Sequence, residues 1–423
     1  MIGRRTYTAL LYLFTPVWLM ALAWRVFRRE NYRQQWHQRL GYASITASEV
    51  PCLWIHAASV GEVAAAVSLV RSLRQSYPAY RILLTTVTPT GAARVRALSG
   101  EGIDHAYIPF DYPFMVRQFL RRVRPKLAVI IETEIWPNLF YACHQRNIPL
   151  VLASVRLSER SVQGYQRVPN LARQTLSWVT LAAAQTPVDA ERLRLLGMPA
   201  DRVSVLGNLK FDMIVPDAIR QAGQQWRAQI GADRPVWVAA STHAGEETQV
   251  LTAARAVLTR FPTALLLLAP RHPERFDAVA RLCTEQGFVV TRRSEDTVPD
   301  GQTQIFLLDS MGELPKFFAA TDVAFVGGSL VPVGGHNLLE PAVQGVPIVT
   351  GPHTFNFTEI HQLLDDIGGV CQASNATELA VTVVGWFEDK AAARNVGEAG
   401  QRLVEQHRGA TQRLLSWVAP LIG

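Results

Sequence analysis

Short apolar runs alternate with longer amphipathic stretches over most of the chain from residue 51 onward. Each run has the length of a strand that is buried on both faces of a parallel sheet, and the stretches between the runs have helical length. The pattern predicts strands at 52–57, 81–87, 127–131, 149–153, 178–184 and 203–206, and again at 236–240, 264–269, 288–291, 305–308, 323–326 and 346–350. Strands that alternate with helices in this way are typical of doubly wound α/β domains.

The alternation is interrupted near Pro216, which is followed by a polar stretch, 217–230, that predicts a helix ending at Gly231. A chain of 423 residues is also longer than one ordinary domain, since a domain averages about 150 residues. The predicted organisation is an N-terminal domain at 31–215, a C-terminal domain at 216–400, and a last helix at 401–423 that packs back on the first domain.

An uncharged apolar run of 18 residues, 7–24, lies near the start of the chain. Its length is close to the lower limit of about 17–25 residues for a membrane span. The first forty residues hold one acid, Glu30, against seven arginines: Arg4, Arg5, Arg25, Arg28, Arg29, Arg33 and Arg39. Arginines after the run favour a cytoplasmic position for the rest of the protein, beside anionic lipid. We predict that residues 1–30 anchor the chain, either across the bilayer or along its surface; a buried core helix is the alternative.

Four cysteines, Cys52, Cys143, Cys283 and Cys371, lie in apolar surroundings without paired spacing. This distribution argues against disulfides and against a thiolate zinc site, and it favours a reducing compartment.

The segment 322–352 has the pattern of a strand, a glycine-rich loop, a short helix and a second strand. Proline is tolerated only in the first turn of a helix, so Pro341 predicts a helix that begins close to Leu338 with Asn337 as its cap. The glycine pairs of the loop allow N–H groups to approach an anion, and the helix start adds partial positive charge. Glu340 has two interpretations, as the partner of Asn337 in a capping box or as the carboxylate that binds a ribose diol.

Acidic residues follow two strands of the first domain, and open α/β sheets bind ligands at the carboxyl ends of their strands. Glu62 has capping-box spacing from Ser59, and it is also placed to point into that crevice. Glu132 and Glu134 end another strand, where alternation predicts that both lie on one face. Either catalysis or arginine binding would explain this acidic pair.

Three loops of the second domain are expected at the same edge of its sheet. The loop at 269–275 offers cations to a phosphate, the loop at 309–313 offers backbone groups to a base, and His243 in the loop at 241–243 is an additional donor. Each loop has an ordinary explanation as a helix cap or as solvated charge. Their convergence on one sheet edge favours a ligand site.

Five motifs occur in order: HAASVGE at 56–62, ETEIWPN at 132–138, APRHPER at 269–275, SMGEL at 310–314 and GGSLVPVGGHNLLEPA at 327–342. Together they resemble the 3-deoxy-D-manno-octulosonic acid (Kdo) transferases of Gram-negative bacteria over nearly the whole chain. The resemblance implies an α/β fold of the GT-B type, with two Rossmann-like domains facing a cleft and an N-terminal membrane-anchoring helix at the cytoplasmic side of the inner membrane. It implies CMP-Kdo as donor and the lipid A precursor lipid IVA as acceptor, with no metal, no cofactor and no nucleic acid.

The resemblance also implies residue roles. Glu62 would be the general base of an inverting transfer, with Glu132 and Glu134 on the acceptor side. Glu340 would bind the ribose, Arg271 and the helix start would stabilise the leaving phosphate in place of a metal, and Lys210 would meet the Kdo carboxylate. The expected CMP-binding residues are Pro270, Arg271, Met311, Gly312, Glu313, Asn337, Leu338, Leu339 and Glu340.

Two alternatives stay open. The first is a soluble GT-B enzyme acting on a UDP-sugar, as a transferase or an epimerase; the arginine-flanked N-terminus and the pairing of Glu62 with Arg271 argue against it. The second is a membrane-docked nucleotide-binding module without catalysis. That module would be favoured if nothing placed Glu62 in a crevice.

Overall fold

Two compact units make up the protein in a computed structural model, which describes residues 2–28, 36–43, 50–98 and 102–423. The first unit contains Met1–Asp212 and His407–Gly423, and the second contains Met213–Gln406. Each unit is built on its own seven-stranded sheet, in which every pair of neighbouring strands is parallel. The two doubly wound α/β domains that the sequence pattern predicts are therefore confirmed.

The sheet of the first unit has the strand order β3-β2-β1-β4-β5-β6-β7. Its strands are β1 Cys52–His56, β2 Arg81–Thr86, β3 Ile103–Tyr107, β4 Pro125–Ile131, β5 Leu150–Val155, β6 Leu181–Ala184 and β7 Val203–Val205. All residues of β1 and β5 are buried, as expected for central strands covered by helices on both faces.

The helices of the first unit lie between these strands, apart from α1, which precedes them, and the last helix of the chain, which follows them. They are α1 Arg4–Arg28, α2 Val60–Ser76, α3 Pro89–Arg96, α4 Pro113–Val123, α5 Pro137–His144, α6 Glu159–Gln166, α7 Pro169–Leu176 and α8 Pro187–Leu195. A proline opens α3, α4, α5, α7 and α8. Proline suits that position because the first N–H of a helix has no acceptor within the helix.

The sheet of the second unit has the order β10-β11-β9-β8-β12-β13-β14. Its strands are β8 Val236–Thr242, β9 Leu265–Pro270, β10 Val290–Arg292, β11 Ile305–Leu307, β12 Val323–Val326, β13 Ile348–Thr350 and β14 Val370–Gln372. Its helices are α9 Asp217–Ile230, α10 Glu246–Arg260, α11 Phe276–Glu285, α12 Leu314–Phe318, α13 Leu339–Ala342, α14 Thr358–Asp365, α15 Ala376–Glu388 and α16 Lys390–His407.

The last helix, α17 Ala410–Ile422, belongs to the first unit. Leu414, Val418 and Ile422 of α17 lie in the core that covers one face of the first sheet. The carboxylate of Asp212 accepts hydrogen bonds from the N–H groups of Gly409, at 2.6 Å, and Thr411. The chain leaves the first unit after Asp212 and returns to it at His407, so both connections lie next to these hydrogen bonds.

The sequence pattern predicts the interior strands and misses one edge strand in each sheet. β3 is an edge strand whose central residues, Asp104 and His105, are only half buried, so its sequence lacks a continuous apolar run. β14 is also an edge strand and is only three residues long. By contrast, the predicted helix at 217–230 matches α9.

Helix α1 rests on the first unit through polar side chains. Tyr7 donates to Asp111 at 3.1 Å, Thr8 donates to Asn138 at 2.8 Å, and Thr15 shares a hydrogen bond with Tyr112. Arg4, predicted to face lipid, instead donates to Asn138 and lies over the ring of Tyr141.

No helix in the described ranges is long and apolar enough to cross a membrane. Arg29 and Arg33 of the predicted flank lie outside the described residues.

Candidate functional site

The carboxylate of Glu62 is held at the start of α2, directly after β1. Ser59 caps this helix by accepting a hydrogen bond from the N–H of Glu62 at 3.4 Å. In return, Glu62 Oε2 accepts from the N–H of Ala58 at 2.6 Å, and Oε1 accepts from the Ser59 hydroxyl at 3.1 Å. The capping interpretation is therefore present in the structure, and these contacts also fix the orientation of the carboxylate.

Burial raises the pKa of Glu62 to about 7. The hydrogen bonds from Ala58 and Ser59 lower the pKa, while the charges of Glu132 and Glu134 raise it. A carboxylate with a pKa near neutrality is ionised in part at physiological pH, and it is a stronger proton acceptor than an ordinary glutamate. Glu62 thus has the properties of a general base.

Glu378 shows that the cap alone does not produce this pKa. At the start of α15, Glu378 accepts from the N–H of Ser374 at 2.7 Å and from the side chain of Asn375 at 3.1 Å, the same sequence offsets as at Glu62. The pKa of Glu378 is lowered, chiefly by the hydrogen bond from the Ser374 backbone. Burial and the neighbouring acids therefore distinguish Glu62 from a capping glutamate of the same geometry.

Glu132 and Glu134 lie near enough to Glu62 to raise its pKa. Strand alternation, which predicted that both acids lie on one face, does not describe their arrangement. β4 ends at Ile131, and Glu132 has a positive backbone φ of 60°. This conformation is strained for a residue other than glycine, and such strain is concentrated at functional sites. Trp136 Nε1 donates to Glu134 at 2.9 Å, and burial raises the pKa of Glu134.

Lys210, predicted to meet the Kdo carboxylate, lies in the first unit beside this acidic pair. Its ammonium group is 2.7 Å from Glu132 Oε1, and both side chains are partly exposed. In this structure Lys210 therefore lies beside Glu132, one of the predicted acceptor-side residues.

In the second unit, the glycine-rich loop after β12 is already bound to a carboxylate of the protein itself. Glu246, fully buried at the start of α10, accepts from the N–H groups of Gly328 at 2.7 Å, Ser329 at 3.1 Å and Leu330 at 2.9 Å. The N–H groups of Gly334 and Gly335 both donate to the carbonyl of Gly328. The predicted use of these glycine N–H groups for phosphate binding is therefore wrong, because they have internal acceptors.

Glu246→Ala should lower the free energy of unfolding of the protein by at least about 3 kcal/mol. The N–H of His243 also donates to Glu246, so the substitution leaves four backbone donors without their acceptor, and each such donor costs about 1–3 kcal/mol when it is buried. Denaturant unfolding measures the change, with Glu378→Ala as the control at an exposed helix start. Equal stability of wild type and Glu246→Ala would contradict this role.

The helix after the loop, α13, is only four residues long, so the predicted contribution of a helix dipole to phosphate binding is small. Asn337 accepts from the N–H of Leu339 at 3.2 Å and donates to Glu340 at 3.3 Å. Leu338 and Leu339 are buried in the core, so these two predicted ligand residues can reach a nucleotide only through their backbone.

Arg271 presents a guanidinium group that has no ion-pair partner among the described residues. It follows Pro270, the last residue of β9, and its N–H donates to the carbonyl of Thr242 at the end of β8. Arg275, by contrast, pairs with the buried carboxylate of Glu247 at 2.9 Å. Arg271 therefore remains available, among the described residues, as a cation at this edge of the sheet.

The loop after β11 is held by two arginines. Asp309 pairs with Arg292 at 2.7 Å, and Glu313 pairs with Arg293 at 3.0 Å. Between them, Met311 is 58% exposed and Gly312 has a φ of +87° with open space around it. The loop therefore presents a fixed backbone edge and an exposed thioether.

Sequence reasoning named His243 as a donor at this edge but missed its contact with His336. His243 Nε2 lies 2.8 Å from His336 Nε2, and the ring of His272 stands edge-on to His243 at 5.2 Å between centroids. Ninety-three positions separate His243 from His336, so no local pattern could reveal their contact. Among the described residues, no group of three or more histidine, cysteine or acidic side chains is placed to hold a metal ion.

A family model and two sequence relatives indicate the same family. A family model described as 3-Deoxy-D-manno-octulosonic-acid transferase (kdotransferase) matches residues 34–213. The chain is 42% identical to 3-deoxy-D-manno-octulosonic acid transferase of Haemophilus influenzae over 98% of each chain, and 34% identical to that of Bordetella pertussis over 100% of each chain. A solved glycosyltransferase structure from Rickettsia africae is similar with a TM-score of 0.55 and 13% identity, over 89% of this chain and 99% of that one, which shows the shared fold.

Proposed function

This chain belongs to the 3-deoxy-D-manno-octulosonic acid (Kdo) transferase family and is a glycosyltransferase of lipopolysaccharide core synthesis, and we propose that it moves Kdo from CMP-Kdo to lipid IVA with inversion at the anomeric carbon. The observation that carries the proposed mechanism is Glu62, a carboxylate that is fixed by two donors and has a pKa raised by burial to about 7.

In the proposed reaction, ionised Glu62 takes the proton of an acceptor sugar hydroxyl. The hydroxyl oxygen bonds to the anomeric carbon of Kdo while the bond from that carbon to the phosphate oxygen of CMP breaks on the opposite face. One base facing one leaving group is sufficient for inversion. Glu132, Glu134 and Lys210 form the charged surroundings of Glu62 and are assigned to the acceptor side.

The second unit is assigned to the donor. Arg271 would bind the phosphate, because its guanidinium is otherwise unpaired among the described residues and suits a bidentate contact with phosphate oxygens. Met311, Gly312 and Glu313 would receive the cytosine base, and Asn337 with Glu340 would receive the ribose. Pro270, Leu338 and Leu339 would contribute backbone contacts.

The direct test incubates the purified protein with CMP-Kdo and lipid IVA and measures the mass of the lipid product. The expected result is a mass increase by whole Kdo residues together with release of CMP. UDP-sugars serve as the comparison donors. The same assay with cytidine diphosphate sugars tests whether the enzyme requires a donor whose sugar is joined to cytidine through a single phosphate. Transfer from a UDP-sugar in preference to CMP-Kdo would refute the proposed donor.

We also propose that α1 docks on the inner membrane, with both α/β units on the cytoplasmic side. Leu10, Leu13, Phe14, Val17 and Met20 share one face of α1 at helical spacing, and they are 39–69% exposed. Arg4, Thr8 and Thr15, which contact the first unit, lie on another face. An exposed apolar stripe of this kind supports a position along the lipid surface, where acceptors with acyl chains reside.

Leu13→Gln with Met20→Gln should reduce binding of the protein to vesicles that contain anionic lipid by about tenfold or more. Each buried Leu or Met side chain contributes about 1.5–3 kcal/mol, and tenfold in affinity corresponds to about 1.4 kcal/mol. Co-sedimentation measures the binding, and turnover on lipid IVA in vesicles should fall with it. Turnover on lipid IVA in detergent should fall much less.

The matched control is Val188→Gln with Leu195→Gln on α8. These two residues are also seven positions apart and are 51% and 64% exposed. If both double variants lose vesicle binding equally, the α1 face has no special role in docking. Substitution is preferable to deletion of α1, because deletion would uncover the buried side chains of Asp111 and Asn138.

A further inference from the structure

The two imidazole rings of His243 and His336 form one hydrogen-bonded unit. Their Nε2 atoms are 2.8 Å apart, their planes differ by 8°, and their centroids are 5.1 Å apart. Because the centroid separation is close to the nitrogen separation plus two ring radii, the rings meet edge to edge in nearly one plane. This is the geometry of a direct N–H···N hydrogen bond.

The backbone at Gly328 leaves room for this pair. A Cβ at Gly328 would lie 3.1 Å from Cδ2 of His336 and 3.4 Å from Cδ2 of His243, and Gly328 has a φ of +67°. Glycine is therefore required here by both conformation and space. Glu246 orders the same loop, and it also accepts a hydrogen bond from the N–H of His243.

The pair is neutral when the site holds no anion. Burial, together with the neighbouring His243, Arg271 and His272, lowers the pKa of His336 to about 3. Burial also lowers the pKa of His243, together with His272, Arg271 and Arg275, whereas Glu247 opposes them. In a neutral pair, one Nε2–H donates to the other Nε2, so one ring carries Nδ1–H and the other carries a bare Nδ1.

The outer nitrogens are available to a ligand. Neither Nδ1 atom has a hydrogen-bond partner among the described residues, and neither ring is fully buried. His336 directly precedes Asn337, assigned above to the ribose, and His272, which contacts His243, directly follows Arg271, assigned to the phosphate. The pair is thus placed where the phosphate of the donor is expected.

We propose that the His243–His336 pair binds the phosphate of CMP and takes up one proton from solvent as that phosphate gains charge. The inference rests on the proposed function, and it assigns the pair a part in leaving-group departure.

Proton uptake leaves the bond between the rings intact. The added proton enters at the bare Nδ1, so the pair then carries one positive charge and two Nδ1–H donors, with the Nε2–H···Nε2 bond retained. When the bond between Kdo and CMP breaks, its electron pair stays on the phosphate oxygen and the phosphate becomes a dianion. The protonated pair balances the additional charge, and the proton returns to solvent when CMP leaves.

Isothermal titration of CMP into the full-length protein tests the proposal directly. Titrations at about pH 7, in two buffers with different ionisation enthalpies, report the protons taken up per CMP bound, and at that pH most of the phosphate is a dianion because its second pKa is about 6. Wild type should take up protons when CMP binds, since a bound dianion favours the protonated pair. Cytidine, which has no phosphate, should cause no uptake.

His336→Gln and His243→Gln are the informative variants, because glutamine keeps a hydrogen-bonding side chain but does not titrate. Both should bind CMP with proton uptake reduced to a small fraction of the wild-type value. His361→Gln, in α14 and close to Thr350, is the matched control and should keep the full uptake. Equal uptake by wild type and both glutamine variants would overturn the proposal, as would its absence in wild type.

A second measurement remains available if a variant does not fold. Nitrogen-15 spectra of the imidazole groups in wild type should show one ring change from a bare Nδ1 to Nδ1–H on addition of CMP. Unchanged ring spectra in protein that binds CMP would refute the pair's role and leave the proposed function intact. Failure to bind CMP at all would instead contradict the proposed donor.

Discussion

Glu62→Gln should lower the turnover of Kdo transfer by about a hundred- to ten-thousand-fold, the usual cost of losing a general base. Glutamine has the same shape, its amide oxygen can still accept from the N–H of Ala58, and its NH2 group can donate to the Ser59 hydroxyl, so the start of α2 should persist. It cannot take a proton from the acceptor hydroxyl. Steady-state kinetics with CMP-Kdo and lipid IVA measure the loss, and CMP affinity should be unchanged because CMP binding is assigned to the second unit.

Glu378→Gln is the matched control, since Glu378 makes the same two capping contacts at the start of α15. It should leave turnover within about twofold of wild type, because substitutions of exposed residues have small effects. Near-normal turnover in Glu62→Gln would remove Glu62 from the mechanism. Equal losses in the two variants would mean that helix capping, and not proton transfer, is what turnover requires.

The pH dependence of transfer should carry the signature of the same group. Only ionised Glu62 accepts a proton, so kcat/KM should fall as pH decreases below about 7, by about tenfold for each pH unit on the acid side. Because kcat/KM reports the pKa values of groups in the free enzyme, the midpoint of this acid limb gives the pKa of Glu62 before substrate binds. An acid limb near the ordinary pKa of glutamate would show that burial does not raise the pKa of the catalytic base.

Local patterns were sufficient for the buried strands and for helices with a strong start, as α9 shows. They failed where the stabilising contact is distant in sequence. Glu246 and Glu247 have the pattern of a solvated helix start, yet both carboxylates are buried. Glu246 binds a loop more than eighty positions away, and this contact removes the N–H groups of Gly328, Ser329 and Leu330 from the predicted phosphate site.

For the candidate site, strand periodicity predicted that Glu132 and Glu134 share one face but did not predict their geometry. A period of two holds only while the backbone stays extended, and the positive φ of Glu132 ends that regularity one residue after β4. The contact between Glu132 and Lys210 and the pairing of His243 with His336 join separate loops. Such contacts depend on the order of strands in the sheet, which a single sequence does not reveal.

Arg271→Ala should lower kcat/KM by about a hundred- to thousand-fold, the usual loss when one donor to a developing negative charge is removed. With the glycine-loop N–H groups bound to Glu246 and α13 only four residues long, the guanidinium of Arg271 is the main fixed charge left for the phosphate in the proposed site. Arg271→Lys should recover only part of the activity, because an ammonium group cannot make the bidentate contact. Arg281→Ala, at an exposed position of α11, is the control and should retain activity.

If Arg271 and the histidine pair balance the charge of the leaving phosphate, transfer should proceed without a divalent cation. Excess chelator should therefore leave wild-type turnover within about twofold of its starting value, and magnesium should not rescue Arg271→Ala. The comparison of both proteins in chelator and in magnesium separates the two sources of positive charge. Complete inactivation of wild type by chelator with recovery on addition of magnesium would show that a metal ion, and not Arg271, stabilises the departing CMP.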